Sequence, residues 1–123
     1  MAKISSAQEP GPRCTITGTS GPDAIEGTGG EDVICARSGN DTVSARMGDD
    51  QILGGAGHDT LVGDRGSDIL WGGTGDDVLR TTDGIGGNDE AWGGPGDDVC
   101  VIDPGDEAFG CGEVQVRPGQ RAS

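Results

Sequence analysis

Aspartate recurs along this chain every nine residues, a spacing that could arrange carboxylates for cation binding. In the stretch GGAGHDTLVGDRGSDILWGGTGDDVLR, residues 54–80, Asp59, Asp68 and Asp77 each follow a glycine two positions earlier. Neither the 3.6-residue period of a helix nor the two-residue alternation of a strand requires nine. Carboxylate oxygens suit hard divalent cations. The spacing therefore indicates a repeated cation site.

The repeat extends over most of the sequence as ten nonapeptide units beginning at Gly18. Residues 81–83 interrupt the frame as an insertion, and position 4 is glycine in every unit. Position 6 is Glu107 in the last unit and aspartate in the other nine. These nine aspartates are the candidate metal ligands: Asp23, Asp32, Asp41, Asp50, Asp59, Asp68, Asp77, Asp89 and Asp98.

Each unit predicts a turn of six residues followed by a three-residue strand, because turn formers precede β-formers. Position 8 is the mostly apolar position and should face inward. Its residues are Ile25, Ile34, Val43, Ile52, Leu61, Leu70, Leu79, Ala91, Cys100 and Phe109. Two units make one coil, so each unit stacks on the unit two later, about 4.8 Å away. The predicted fold is all-β: a parallel β-roll (β-solenoid) of about five two-repeat coils with capped ends.

Stacking brings position-6 carboxylates together in pairs across successive coils. The pairs begin with Asp23–Asp41, Asp32–Asp50, Asp41–Asp59, Asp50–Asp68 and Asp59–Asp77. Without a cation, such a column would repel itself. Two carboxylates with several turn carbonyls form an all-oxygen shell that suits Ca²⁺ better than Mg²⁺, and zinc would find only His58. Ten units allow at most eight calcium ions, and we expect about six.

Composition supports dependence on cations. The formal net charge is -14, only 31% of residues are hydrophobic and 2% are aromatic. Such a chain has little to bury and alone favours disorder. The charge disfavours nucleic acid and anionic membranes as partners, and no apolar run is long enough to insert in a membrane. We expect a monomer.

The units resemble the GGxGxDxUx nonapeptide of RTX (repeats-in-toxin) proteins over roughly residues 18–110. The cysteine-bearing flanks resemble RTX arrays of secreted actinobacterial calcium-binding proteins. The resemblance implies a calcium-dependent parallel β-roll in which turn carbonyls and the position-6 aspartates bind calcium. Ala36-Arg37, Ala45-Arg46 and Asp64 depart from the opening glycine pair.

Extra strands at Thr15–Thr17 and Val114–Val116 should cap the two ends. The expected organisation is a flexible segment 1–13, a capped roll 14–116 and a disordered tail 117–123. Pairing Cys14–Cys35 and Cys100–Cys111 would keep each disulfide local to one end, although free thiols or a zinc site are alternatives. Disulfides imply an oxidising compartment. We therefore expect a secreted protein whose signal sequence has been removed, or a fragment of a longer one.

Two other functions remain open at this stage. Trp71 and Trp92 occupy position 9 in neighbouring units of one sheet and could bind a glycan or a protein partner, although we favour the interpretation that a terminal segment or a neighbouring domain covers them. The chain could also be the non-catalytic tail of a larger secreted hydrolase. It contains no HExxH, GxSxG or P-loop motif, so we expect no enzymatic activity from it.

Overall fold

Short strands separated by turns make up the chain within residues 14–82 and 89–116, the part that the computed structural model describes. The strands are β1 (Ile16–Thr17), β2 (Ala24–Glu26), β3 (Val33–Cys35), β4 (Thr42–Ser44), β5 (Gln51–Leu53), β6 (Thr60–Val62), β7 (Ile69–Trp71), β8 (Val78–Arg80), β9 (Glu90–Trp92), β10 (Val99–Ile102), β11 (Glu107–Phe109) and β12 (Glu113–Val116). The expected flexible segment 1–13 and disordered tail 117–123 lie outside the described residues.

The strands form two six-stranded parallel sheets. Odd-numbered strands β1 to β11 form one sheet in chain order, and β2 to β10 with β12 form the other. Each strand pairs with the one two later, and Ile52 pairs with Leu70 as the repeat frame requires. The predicted parallel β-roll of about five coils is confirmed.

The core is a double row of position-8 side chains between the two sheets. One inward residue per nonapeptide makes this core thin, as its composition predicts. The fully buried members are Ile34, Val43, Ile52, Leu61, Leu70, Leu79, Ala91 and Cys100.

Both ends have the predicted extra strands and disulfides. Ile16 of β1 pairs with Ile34 of β3, and β12 covers β10. Cys14 is bonded to Cys35 and Cys100 to Cys111. Each bridge ties a terminal segment to the outermost coil, so the predicted pairing is confirmed.

The register predicted for the last unit is wrong by one residue. Ala108, not Phe109, pairs with the inward Ala91, and Phe109 pairs with the outward Trp92. Asp106 therefore takes position 6 in place of Glu107, and its Oδ1 accepts the Asp89 N–H at 3.2 Å. Asp106 follows Asp98 by eight residues and not by nine, which places the small side chain of Ala108 beside Ala91 and Phe109 beside Trp92.

Candidate metal centre

The predicted aspartates form two columns, one along each edge of the roll. Each aspartate ends a turn and directly precedes a strand, so the parallel register stacks it over the aspartate two units away. One column contains Asp23, Asp41, Asp59, Asp77 and Asp98. The other contains Asp32, Asp50, Asp68 and Asp89, and continues to Asp106.

Successive aspartates in a column are joined by a backbone-to-side-chain hydrogen bond. The Asp59 N–H donates to Oδ1 of Asp77 at 2.8 Å. The insertion at 81–83 does not break either column, because Asp68 N–H donates to Asp89 Oδ1 at 2.6 Å and Asp77 N–H donates to Asp98 Oδ1 at 2.7 Å. From Asp41 onward, Oδ1 of each column aspartate thus accepts a hydrogen bond from the preceding coil.

The second carboxylate oxygen has a different environment. Oδ2 of Asp41, Asp50, Asp59, Asp77 and Asp98 is buried and has no hydrogen-bond partner among the described residues. Each of these five aspartates is only 1% exposed. Leaving a buried carboxylate oxygen unsatisfied is costly, so these atoms require a ligand or a proton.

In the repeats that begin with glycine, turn position 1 leaves a small oxygen-lined space beside Oδ2, whereas Asp41 and Asp50 follow Ala36 and Ala45 at that position. A Cβ on Gly72 would lie 2.7 Å from Oδ2 of Asp77 and 2.8 Å from the Gly93 carbonyl oxygen. A Cβ on Gly54 would likewise lie 2.8 Å from both Asp59 Oδ2 and the Gly72 carbonyl oxygen. The space therefore gathers a carboxylate oxygen and a carbonyl oxygen from successive coils.

Burial raises the pKa of the interior carboxyls. The pKa of Asp77 is raised to about 8, mainly by burial, with the charge of Asp59 adding to the shift. The pKa values of Asp50 and Asp59 are raised to about 7 for the same reasons, since each lies above another aspartate in its column. Hydrogen bonds from neighbouring backbone N–H groups offset only part of this effect. Without a cation beside them, these buried carboxyls therefore hold their protons up to near neutral pH.

The first two repeats have a different arrangement. Asp23 Oδ2 accepts the Thr19 N–H at 2.7 Å and its Oδ1 accepts the Thr19 hydroxyl at 2.8 Å. Asp32 accepts the same two bonds from Thr28, at 2.8 and 2.9 Å. The bond from the Thr19 N–H, followed by that from the Thr19 hydroxyl, lowers the pKa of Asp23. Sequence reasoning treated all nine aspartates alike, although threonine at position 2 marks these two repeats.

Turn position 2 is left-handed in the middle repeats, whatever residue occupies it. Gly55 and Gly73 have φ values of 86° and 88°. Arg37, Arg46 and Asp64 adopt φ values of 76°, 71° and 66° at the same position. The departures from the glycine pair therefore keep the turn geometry, although a side chain at positive φ is strained.

Comparison with known families decides the identity of the repeats. A family model described as RTX calcium-binding nonapeptide repeat (4 copies) matches residues 15–43, 44–79 and 81–106. The chain belongs to the RTX family. A search of curated proteins gave no significant match. RTX repeats bind calcium within a β-roll, and this agrees with the fold and with the all-oxygen character of the columns.

An RTX turn in this chain must combine side-chain and backbone ligands. Within residues 14–82 and 89–116, no group of three or more His, Cys, Asp or Glu side chains is arranged to hold a metal ion by itself. Carbonyl oxygens would therefore have to complete any calcium shell. The orphaned Oδ2 atoms and the adjacent carbonyls fit calcium, which prefers oxygen ligands at about 2.3–2.6 Å.

No helix in the described residues is long and apolar enough to cross a membrane.

Aromatic side chains form a column on the outer face of the RTX roll. Trp71 pairs with Trp92, which pairs with Phe109. The rings of Trp92 and Phe109 stack with centroids 4.1 Å apart and an interplanar angle of 23°. Each ring covers one face of the other, and the two residues remain 38% and 37% exposed.

Proposed function

We propose that this RTX chain binds several calcium ions between successive turns and that ion binding drives its folding. The observation that carries the proposal is the row of buried Oδ2 atoms on Asp41, Asp50, Asp59, Asp77 and Asp98. Burial makes the charged form of these carboxyls costly, so near neutral pH each must either keep a proton or gain a counterion. Calcium between successive turns supplies that counterion.

The ligands follow from the two columns. The proposed side-chain ligands in the interior are Asp41, Asp50, Asp59, Asp68, Asp77, Asp89 and Asp98. Backbone carbonyls of the turns complete the shells. The sequence prediction also includes Asp23 and Asp32, whose carboxylates accept hydrogen bonds from threonine. About six ions, and at most eight, remains the prediction from counting stacked units.

Calcium fits these donors better than other biological cations. Ca²⁺ accepts six to eight oxygen ligands in flexible geometry, whereas Mg²⁺ requires near-ideal octahedral geometry and retains its waters. Zinc prefers nitrogen and sulfur ligands, but His58 is exposed and all four cysteines are in disulfides. The oxygen columns therefore favour calcium.

Coupling of binding to folding follows from the thin core and the net charge of -14. The fold stacks buried carboxylates on each other, and their repulsion and desolvation oppose folding when no ion is present. An ion that binds only the folded state stabilises it by about 2.7 kcal/mol at 100 times its dissociation constant. Several such ions together stabilise the fold enough to offset the small amount of apolar surface that it buries.

The setting we propose is extracellular. Two disulfides form where the environment is oxidising, and extracellular calcium-binding modules have dissociation constants of roughly 10⁻⁴–10⁻³ M. The proposed role is that of a non-enzymatic structural or interaction module. No observation on the described residues favours the two alternatives, glycan binding through Trp71 and Trp92 or a place as the non-catalytic tail of a larger secreted hydrolase.

Calorimetric titration of the calcium-depleted chain with CaCl₂, and in parallel with MgCl₂, tests the proposal. We expect saturable heat from calcium at several ions per chain and little from magnesium at equal concentration. The same titration of a chain unfolded in denaturant is the control for non-specific binding to acidic residues. Absence of calcium heat, or equal heat from both cations, would contradict the proposal.

A further inference from the structure

We propose that threonine hydrogen bonds close the first coil of the roll (residues 18–35) and that calcium binding therefore begins at the third repeat. The inference rests on the proposed calcium function and states which repeat is the first to bind an ion. In this coil Thr19 and Thr28 take the place that ions take further along. Asp23 and Asp32 then act as structural hydrogen-bond acceptors and do not bind calcium.

The contacts of Thr28 show how this closure works. Its N–H and hydroxyl both donate to Asp32, at 2.8 and 2.9 Å. Its hydroxyl oxygen also accepts the Gly30 N–H at 3.1 Å. Thr19 makes the equivalent bonds to Asp23 and from Gly21. Both carboxylate oxygens are therefore occupied by protein donors four residues away.

The backbone of these two turns also differs from that of the interior turns. Position 4 has φ of 100° to 109° at Gly39, Gly48 and Gly57, but Gly21 and Gly30 lie outside the left-handed region. Thr19 and Thr28 likewise lie outside it. Position 2 of the next five repeats is left-handed, a conformation that a β-branched residue disfavours. Threonine thus selects a second turn type that aims its own donors at the aspartate.

The third and fourth repeats have no threonine at position 2, and one oxygen of each position-6 aspartate there has no donor within the described part of the chain. Asp41 and Asp50 follow Arg37 and Arg46 at position 2, and their Oδ2 atoms are buried without a hydrogen-bond partner among the described residues. The change occurs between the first and third repeats on one edge of the roll and between the second and fourth repeats on the other. This boundary separates carboxylates satisfied by the protein from carboxylates that need an ion.

A similar closure is present at the opposite end. The Thr81 hydroxyl donates to Asp106 Oδ2 at 2.9 Å, and the Asp103 N–H donates to the same oxygen at 3.0 Å. Thr81 is fully buried. The column from Asp32 to Asp106 therefore has a threonine hydrogen bond at each end. This supports the same role for threonine wherever an aspartate has no further aspartate stacked on it to complete a calcium site.

Counting bound calcium by native mass spectrometry at saturating calcium tests the boundary. We expect Asp23→Asn/Asp32→Asn to hold as many ions as the parent, whereas the matched Asp50→Asn/Asp59→Asn variant loses at least two. Equal losses in both double variants would overturn the inference while leaving calcium binding intact. A parent chain that holds no calcium would instead overturn the proposed function.

Conversion of the first coil to the interior turn type provides a second test. Thr19→Gly/Thr28→Gly gives position 2 the glycine found at Gly55 and Gly73 and removes the competing hydroxyls. We expect this variant to bind up to two more ions than the parent, and addition of Asp23→Asn/Asp32→Asn to cancel the gain. An unchanged ion count in the glycine variant would contradict the role given to threonine.

Discussion

Asp76 and Asp77 are adjacent carboxylates of one turn with opposite environments. Asp77 is 1% exposed and its Oδ2 is unsatisfied, whereas Asp76 is exposed and its Oδ1 accepts the Asp97 N–H at 2.8 Å. An asparagine keeps an Oδ1 acceptor at either position but removes the charge. Comparison of asparagine variants at the two positions therefore separates the loss of a calcium ligand from the loss of one negative charge.

We predict that Asp77→Asn lowers the free energy of unfolding in saturating calcium by about 2.7 kcal/mol for each ion site lost at 100-fold excess. Asp76→Asn should leave it nearly unchanged. Chemical denaturation of both variants in calcium measures the difference. Equal effects would show that the buried column has no special role.

The raised carboxyl pKa values predict that acid substitutes partly for calcium. The pKa values of Asp50, Asp59 and Asp77 rise from 3.8 to about 7, 7 and 8 in the folded chain. A carboxyl whose pKa is higher when folded stabilises the fold below its unfolded pKa, and this contribution is lost as pH rises through the folded value. The metal-free fold should therefore weaken between about pH 4 and pH 8.

Circular dichroism in a calcium chelator at pH 5 and pH 8 measures this effect. We expect more β-structure at pH 5, and an apparent calcium affinity that falls as pH decreases because protons compete for the same oxygens. Calcium activity must be held constant, since chelators themselves titrate. A metal-free chain that becomes more ordered as pH rises would contradict the assignment of the buried carboxyls.

Among the structural elements, the turns carry the strictest backbone requirements. Gly57 at position 4 has φ of 109°, and a Cβ there would collide with the backbone of Gly39. Gly30 occupies the same repeat position in the threonine-closed coil, where the nearest atom to an added Cβ is Thr28 Oγ1 at 3.9 Å. The two turn types therefore differ in their tolerance of a side chain.

We predict that Gly57→Ala destabilises the calcium-loaded protein by at least about 1–3 kcal/mol, the range for a strained backbone conformation. Gly30→Ala should be tolerated. Thermal denaturation in calcium compares the two variants directly. Equal destabilisation would mean that the first coil has the same turn geometry as the interior.

The repeat sequence is sufficient to predict strands, parallel register, core positions and both caps, because every unit repeats the same local preferences. It was insufficient where one residue changed the local balance. Threonine at positions 19 and 28 replaces a left-handed turn by a hydrogen-bonded one, which a consensus of glycine and aspartate conceals. In the last unit, Asp106 and Glu107 are both acidic, and it is Asp106 that joins the column, where it accepts hydrogen bonds from the Asp89 N–H and the Thr81 hydroxyl.

For the whole molecule, we expect the disulfides and the proposed calcium ions to have separate roles. Cys14–Cys35 closes a loop with a sequence separation of 21 at the first coil, away from the interior aspartates. We predict that Cys14→Ser/Cys35→Ser lowers stability by about 3 kcal/mol, as expected for a loop of this size, and leaves the calcium count unchanged. Denaturation and ion counting on the same variant test both parts. Loss of calcium together with the disulfide would show that the cap also shapes the ion sites.

The central claim is that calcium replaces the large apolar core that this chain lacks. Circular dichroism together with hydrodynamic radius, measured at neutral pH in a chelator and then in millimolar calcium, tests that claim most directly. We predict an expanded chain with little β-structure in the chelator, and a compact β-rich molecule with cooperative melting in calcium. A chain that is equally compact, equally β-rich and cooperatively melting in the chelator would contradict the account.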